Sequence, residues 1–282
     1  MSTMMQFHTI MEKIFKSFFA IAMVIMLMAG MAACSADDNQ PEEVAQPSLY
    51  STVHVTVGAD RDEAALVKVT RGVTHTITFA TTDQLYVRKD WTDAGHHYIA
   101  YGKLPISNIS DTKMKATFSG DLTIKKDNVS DPDPTFILKD SEATLWASSL
   151  TGTDEAGYTF TPGLVAIATK SLGAALADYS YIHGTIDASD KVTLLPYSAF
   201  LNCQIGNLKE STNYNVSLKN PDLGPISVTS DGVGQAHFIA WLPTGPVTDL
   251  KILISDTLKV ELGSRTLETI VYNVNRPAWK VN

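Results

Sequence analysis

The chain has 282 residues, with 22 Lys and Arg against 30 Asp and Glu and a formal net charge of −8. That acidity excludes the binding of nucleic-acid phosphates, which needs clustered cations. Two cysteines, Cys34 and Cys203, are too few for a Cys-based metal centre.

Residues 1–33 read as a signal peptide. Lys13 and Lys16 form a basic start, and Phe18 to Ala33 is an unbroken run of 16 apolar or small residues. A permanent membrane helix takes roughly 20 such residues, so this run matches a cleaved secretory segment instead. Met31-Ala32-Ala33-Cys34 resembles a lipobox, the site where signal peptidase cuts before a lipid-modified cysteine, with Met31 where Leu is usual. Lipidation at Cys34 is therefore expected, with the outer membrane as partner through that lipid. Cleavage removes Lys13, Lys16 and Glu12, a net charge of +1, so the remainder moves from −8 to −9. Residues 34–48 are acidic, polar and proline-containing, a composition that buries too little apolar surface to fold, and read as a tether. Asp37 and Asp38, close behind the cysteine, resemble the surface-export signal of Bacteroidetes lipoproteins. The localisation expected is the outer membrane, exposed on the cell surface.

From residue 49 onward the pattern is period-two alternation, the mark of half-buried strands. Val53, Val55 and Val57 alternate with polar residues in the first. The pattern returns at 76–79, 85–87, 117–118, 144–146 and 193–194, and then from Asn215 to Tyr272. Turn signals punctuate it at Ser119-Gly120-Asp121, Asp231-Gly232, Pro243-Thr244-Gly245-Pro246 and Leu262-Gly263-Ser264. A helix or irregular crossing is expected over Val165–Ala177. Many short strands with regular turns predict an all-β fold of packed antiparallel sheets. A boundary near Asp190 divides it into 49–190 and 191–282.

Residues that carry chemistry are sparse. His96-His97 is the one histidine cluster, and neighbours on a strand point to opposite faces, so the pair is a poor metal site. Asp131-Pro132-Asp133 reads as a turn rather than a calcium loop. Cys203 shares a face with Leu201 and Ile205 and reads as a small buried hydrophobe. Trp91, Tyr98 and Tyr101 flank a polar loop and could form an exposed contact patch. No catalytic or cofactor motif is present, so no enzyme, no cofactor and no metal are expected.

Four segments carry a resemblance. Asp83-Gln84-Leu85-Tyr86-Val87, Ala116-Thr117-Phe118-Ser119-Gly120, Val192 through Leu201, and Tyr272-Asn273-Val274-Asn275-Arg276 occur in the order of similar segments in the fimbrillin-like surface lipoproteins of Bacteroidetes, which include type V pilus subunits. The resemblance implies two tandem transthyretin-like β-sandwich domains and a role in cell adhesion or fimbria assembly. Partners would be pilus subunits joined by donor-strand exchange, or a host or bacterial surface receptor. It also implies a removable first strand, carried here by Val53, Val55 and Val57, released by cleavage after Arg71 or, second, Arg61. The short segment after Arg276 suits a base, tip or accessory subunit, or a monomeric surface protein, better than a stalk subunit. The competing expectation is a glycan-binding accessory lipoprotein of an outer-membrane uptake system, which calls for a platform of coplanar exposed aromatics.

Overall fold

The computed structural model describes residues 48–61, 67–69, 74–75, 78–255 and 257–280. The signal peptide, Cys34, the tether and Arg71 lie outside the described residues. Chain order is β1 (Tyr50–Arg61), β2 (Val67–Val69), β3 (Thr74–His75), β4 (Gln84–Asp93), β5 (His96–Ile109) and β6 (Lys115–Lys126). Then come β7 (Glu142–Leu145), β8 (Leu150–Thr153), β9 (Gly157–Phe160), β10 (Gly163–Ala166), helix α1 (Leu172–Tyr179) and β11 (Ile182–Thr185). The last third holds β12 (Lys191–Pro196), β13 (Ser198–Gly206), β14 (Asn213–Lys219), β15 (Leu223–Thr229) and β16 (Ala236–Pro243). It ends with β17 (Gly245–Ile254), β18 (Leu258–Leu267), β19 (Ile270–Pro277) and β20 (Trp279–Lys280). Among the described residues the fold is all-β apart from α1.

Seven strands, β1-β12-β11-β7-β4-β5-β6, close on themselves into a barrel. Its interior is filled by alternate residues of each strand: Val57 and Ala59 from β1, Leu85 and Val87 from β4, Phe118 and Leu122 from β6. Phe79, in the segment before β4, plugs the same core and meets Phe118 edge-on at 5.7 Å. The segment Ser119-Gly120-Asp121 is no turn. It lies inside β6, with Gly120 opposite Val55. A side chain at Gly120 would press on Pro105 Cδ at 3.3 Å, so the glycine serves close packing between strands rather than chain reversal. Leu262-Gly263-Ser264 is likewise interior to β18, at a register shift against β17 where Gly263 takes φ +71°.

The remaining strands form two larger sheets, β10-β16-β13-β19-β2-β3 and β15-β14-β17-β18-β20. They share a core of Leu201, Cys203 and Ile205 from one sheet and Val216, Ile252 and Val260 from the other. Beneath α1, the first of these sheets is buried on both faces, because Phe200, Ile239 and Trp241 pack against Ala175 and Leu176 on its other side. That explains why β13 and β16 read as nearly continuous apolar runs. α1 starts at Ser171, whose Oγ accepts from the Ala174 N–H at 3.3 Å, and it buries Ala175 and Leu176. The helix expected over Val165–Ala177 thus begins later: Val165 belongs to β10, paired with Ile239.

Residues 48–282 make one compact unit. Sheet membership does not divide at a single point near Asp190. β12, expected to open the second domain, pairs with β11 and β1 in the barrel, and the chain changes sheets at Tyr197. In the other direction β2 and β10, from the first part of the chain, lie in the sheet of β13 and β16. Local alternation marks a strand but not its neighbours, so this interleaving was invisible in the pattern.

Candidate functional site

β1 is the terminal strand of the described chain, and its sequence alternation is reproduced in space. Val55, Val57 and Ala59 are buried in the barrel, Val53 is half-buried above them, and Thr52, His54 and Thr56 face outward. β1 runs antiparallel to β6 through eleven residue pairs, from Tyr50 opposite Lys125 to Asp60 opposite Lys115. Its other edge meets β12 in parallel only from Gly58 to Arg61. Polar contacts close the outer face: His54 Nδ1 lies 2.7 Å from Asp121 Oδ1, and the Thr56 and Ser119 hydroxyls are 2.9 Å apart. The strand is therefore held by one long ladder, one short ladder and a row of apolar side chains.

Arg61 ends β1 and is 8% exposed. Its guanidinium lies 4.4 Å over the Phe79 ring, with Nη2 3.7 Å from Asp83 Oδ2. Its backbone N–H donates to Met114 O at 2.9 Å. Burial pushes its pKa down to about 10, only partly opposed by Asp83, whose own carboxyl burial pushes up. Desolvation outweighs attraction across that long contact, although the group stays charged at neutral pH. A protease reaching for Arg61 must first lift the end of β1. Arg71 falls between β2 and β3, which pair Val67 with His75, and β2 in turn lies parallel to β19.

The other residues singled out in the sequence have structural partners. His96 Nδ1 is 2.9 Å from Asp131, whereas His97 sits between Asp127 at 3.1 Å and Asp90 at 2.8 Å. The two histidines thus have separate partners, and among the described residues no group of three or more His, Cys, Asp or Glu is placed to hold a metal ion. Asp131-Pro132-Asp133 folds back on β5 and β6. Asp131 Oδ2 accepts from the Asn128 N–H, Asp133 accepts from Lys126 Nζ at 3.0 Å, and Tyr98 donates its hydroxyl to Pro132 O. The expected patch of Trp91, Tyr98 and Tyr101 does not form: Tyr98 is 1% exposed with Trp91 stacked on it at 5.4 Å, and Tyr101, opposite Arg88, lies half-buried on the other face of β5. Cys203 is buried, and burial alone pushes its thiol well up.

Hydrogen bonds accepted by Asp127, and then by Asp90, raise the His97 pKa above its ordinary value of 6.5. Its imidazolium donates from both ring nitrogens. That contribution is fully present below the unfolded value and is lost as pH rises through the raised folded value. The gap in thermal midpoint between the native chain and His97→Gln should be widest near about pH 5.5 and close by about pH 9. Thermal melts across that range measure it.

One cluster escaped the sequence reading. The hairpin β8–β9 pairs only with itself and docks on the outer face of β4 and β5. The Tyr86 hydroxyl donates to Asp154 O, Arg88 Nε donates to Glu155 O at 3.1 Å, and Lys103 lies 3.8 Å over the Trp146 ring. Trp146 belongs to this outer cluster, edge-on to Tyr158 at 4.6 Å. The turn Asp154-Glu155-Ala156-Gly157 was the available signal for the hairpin. Nothing in the sequence pointed to the cationic side chains it meets. No family model matches the chain, and no curated protein matches it.

Proposed function

We propose that this chain is a surface lipoprotein, held by lipid on Cys34 and resembling the fimbrillin-like adhesins and pilus components, that assembles by exchange of its first strand. The barrel and the two-sheet sandwich behind it would correspond to the tandem transthyretin-like domains of that family. The observation that carries the reading is β1 itself. It is a terminal strand that supplies a whole row of core side chains, and its neighbours β6 and β12 would flank an open slot once it left. An incoming strand could refill that slot with backbone hydrogen bonds and alternate apolar side chains. Phe160, Tyr181, His183 and Tyr197 stack upon one another, with His183 and Tyr197 4.2 Å apart. Rings stacked in a column offer edges rather than the coplanar platform of the glycan-binding alternative, which is the weaker reading.

An Arg-specific protease tests it. Cleavage is expected after Arg71 before Arg61, because Arg61 is buried at the end of β1. Mapping the new N-terminus should find Gly72 in a nicked product that stays folded with β1 still seated against β6. A folded sample with no product starting at Gly72 or Asp62 would sink the exchange idea.

A further inference from the structure

The sandwich of the last two sheets is open along one side. β18 pairs with β17 along its length, but with β20 only at Leu258 and Lys259. From Val260 to Leu267 its outer edge forms no ladder with another strand among the described residues, although the Tyr272 hydroxyl of β19 reaches Thr266 O at 3.4 Å. Opposite it, Val274–Pro277 of β19 pairs with β13 alone among the described residues. Between the two strands runs a groove made of two adjoining cavities of about 670 and 630 Å³, which share Glu261 and Arg276. Buried Val260 and Val274 line its apolar part, and Trp279 stands at its rim, 65% exposed.

Charge sets this groove apart from the rest of an acidic molecule. Among the described residues Lys259, Arg265, Arg276 and Lys280 line it against a single carboxylate, Glu261, which is already neutralised by Lys259 at 2.9 Å. Among the described residues, Arg276 and Lys280 have no ion-pair partner. The edge of β18, eight residues at about 3.3 Å each, runs for roughly 26 Å, and of its carbonyls Leu262 O is held by the Arg265 guanidinium and Thr266 O by the Tyr272 hydroxyl. Unpaired N–H and C=O groups recruit an extended chain, an exposed tryptophan beside apolar floor gives it an anchor, and surplus cations select its sign.

We propose that the β18–β19 groove docks an extended acidic peptide segment of a partner protein, added as a strand along β18. The site does not depend on strand exchange at β1, since it lies on the other sheets and is open with β1 in place. Its test uses the full, uncut chain and dye-labelled ten-residue peptides followed by fluorescence anisotropy. A peptide alternating Val with Glu should bind, and one alternating Val with Lys should not. Replacing every second Val of the Glu peptide by Pro should abolish binding, because proline cannot donate to the ladder. Arg276→Glu combined with Lys280→Glu should weaken binding at least about tenfold, as should Trp279→Ala separately. These three side chains are exposed, and circular dichroism verifies that the variants stay folded. Equal binding of the Lys or Pro peptide, no binding of any peptide, or indifference to the substitutions would overturn the proposal. Stronger binding of an acidic oligosaccharide such as oligogalacturonate, dependent on Arg276, would also overturn it and make the groove a glycan site.

Discussion

A chain that begins at Asp62 should fail to fold alone, and a synthetic peptide spanning Tyr50–Arg61 should restore it. Removing β1 takes Val55, Val57 and Ala59 out of the barrel core and strips the β6 edge of its longest ladder. Each fully buried valine is worth about 1.5–3 kcal/mol, a large fraction of the roughly 5–15 kcal/mol that stabilises a domain. The two faces of the strand should behave differently. A peptide carrying Val55→Ser and Val57→Ser should not complement, whereas one carrying His54→Ser and Thr56→Ser should, because those side chains point outward. In the intact chain the same contrast appears as stability. Val57→Asp places an unpaired charge in the core and should cost about 3–5 kcal/mol. Thr56→Asp, one residue away, should cost under about 0.5 kcal/mol. Denaturant titration measures both. Equal effects of the two substitutions would mean that the alternation of β1 does not set its seating.

Trp241→Ala should be about as damaging, through a different part of the molecule. Trp241 lies on β16, only 7% exposed, and stacks on Tyr179 at 3.8 Å with the rings parallel. Its indole N–H donates to Thr161 O at 2.9 Å, and its ring covers Gly163 so closely that a side chain there would sit 2.3 Å from Cζ2. One side chain thus pins the segment from β9 through β10 and the end of α1 onto the sheet of β13. Truncation should cost about 3–5 kcal/mol, the range for a buried aromatic. Trp241→Phe keeps a ring and should cost less. Gly163→Ala should cost about 1–3 kcal/mol by forcing that ring aside. In Trp241→Ala the barrel and the sandwich should also lose their common transition, seen as separate steps in thermal unfolding. A single, unshifted transition would show that the crossing segment does not couple them.

The sequence revealed strands more readily than their neighbours. The alternation at Val53, Val55 and Val57 located β1 and its buried face, because period two is a local property of the chain. Gly120 and Gly263 misled, since a glycine needed for close strand packing or a bulge looks the same in sequence as one needed for a turn. Burial of Tyr98 was hidden for a related reason. The residues that cover it, Pro132 among them, come from a loop some thirty positions away, and nothing in their own composition announces that contact. The charge of the β18–β19 groove was equally unreadable. Lys259, Arg265 and Arg276 are scattered along the chain and become a cluster only when two sheets face each other.

The placement of β2 has a kinetic consequence. Lys68 pairs with Ile270, about 200 residues downstream, and Ala59 of β1 waits for Val192 before the barrel can close. Such distant partners make folding slow, because long loops must close before any contact repays their lost entropy. The hairpins β4–β5 and β5–β6 can pair locally, but the barrel closes only once β12 has emerged and the β13 sheet only once β19 has, so the complete fold is reached near the end of synthesis.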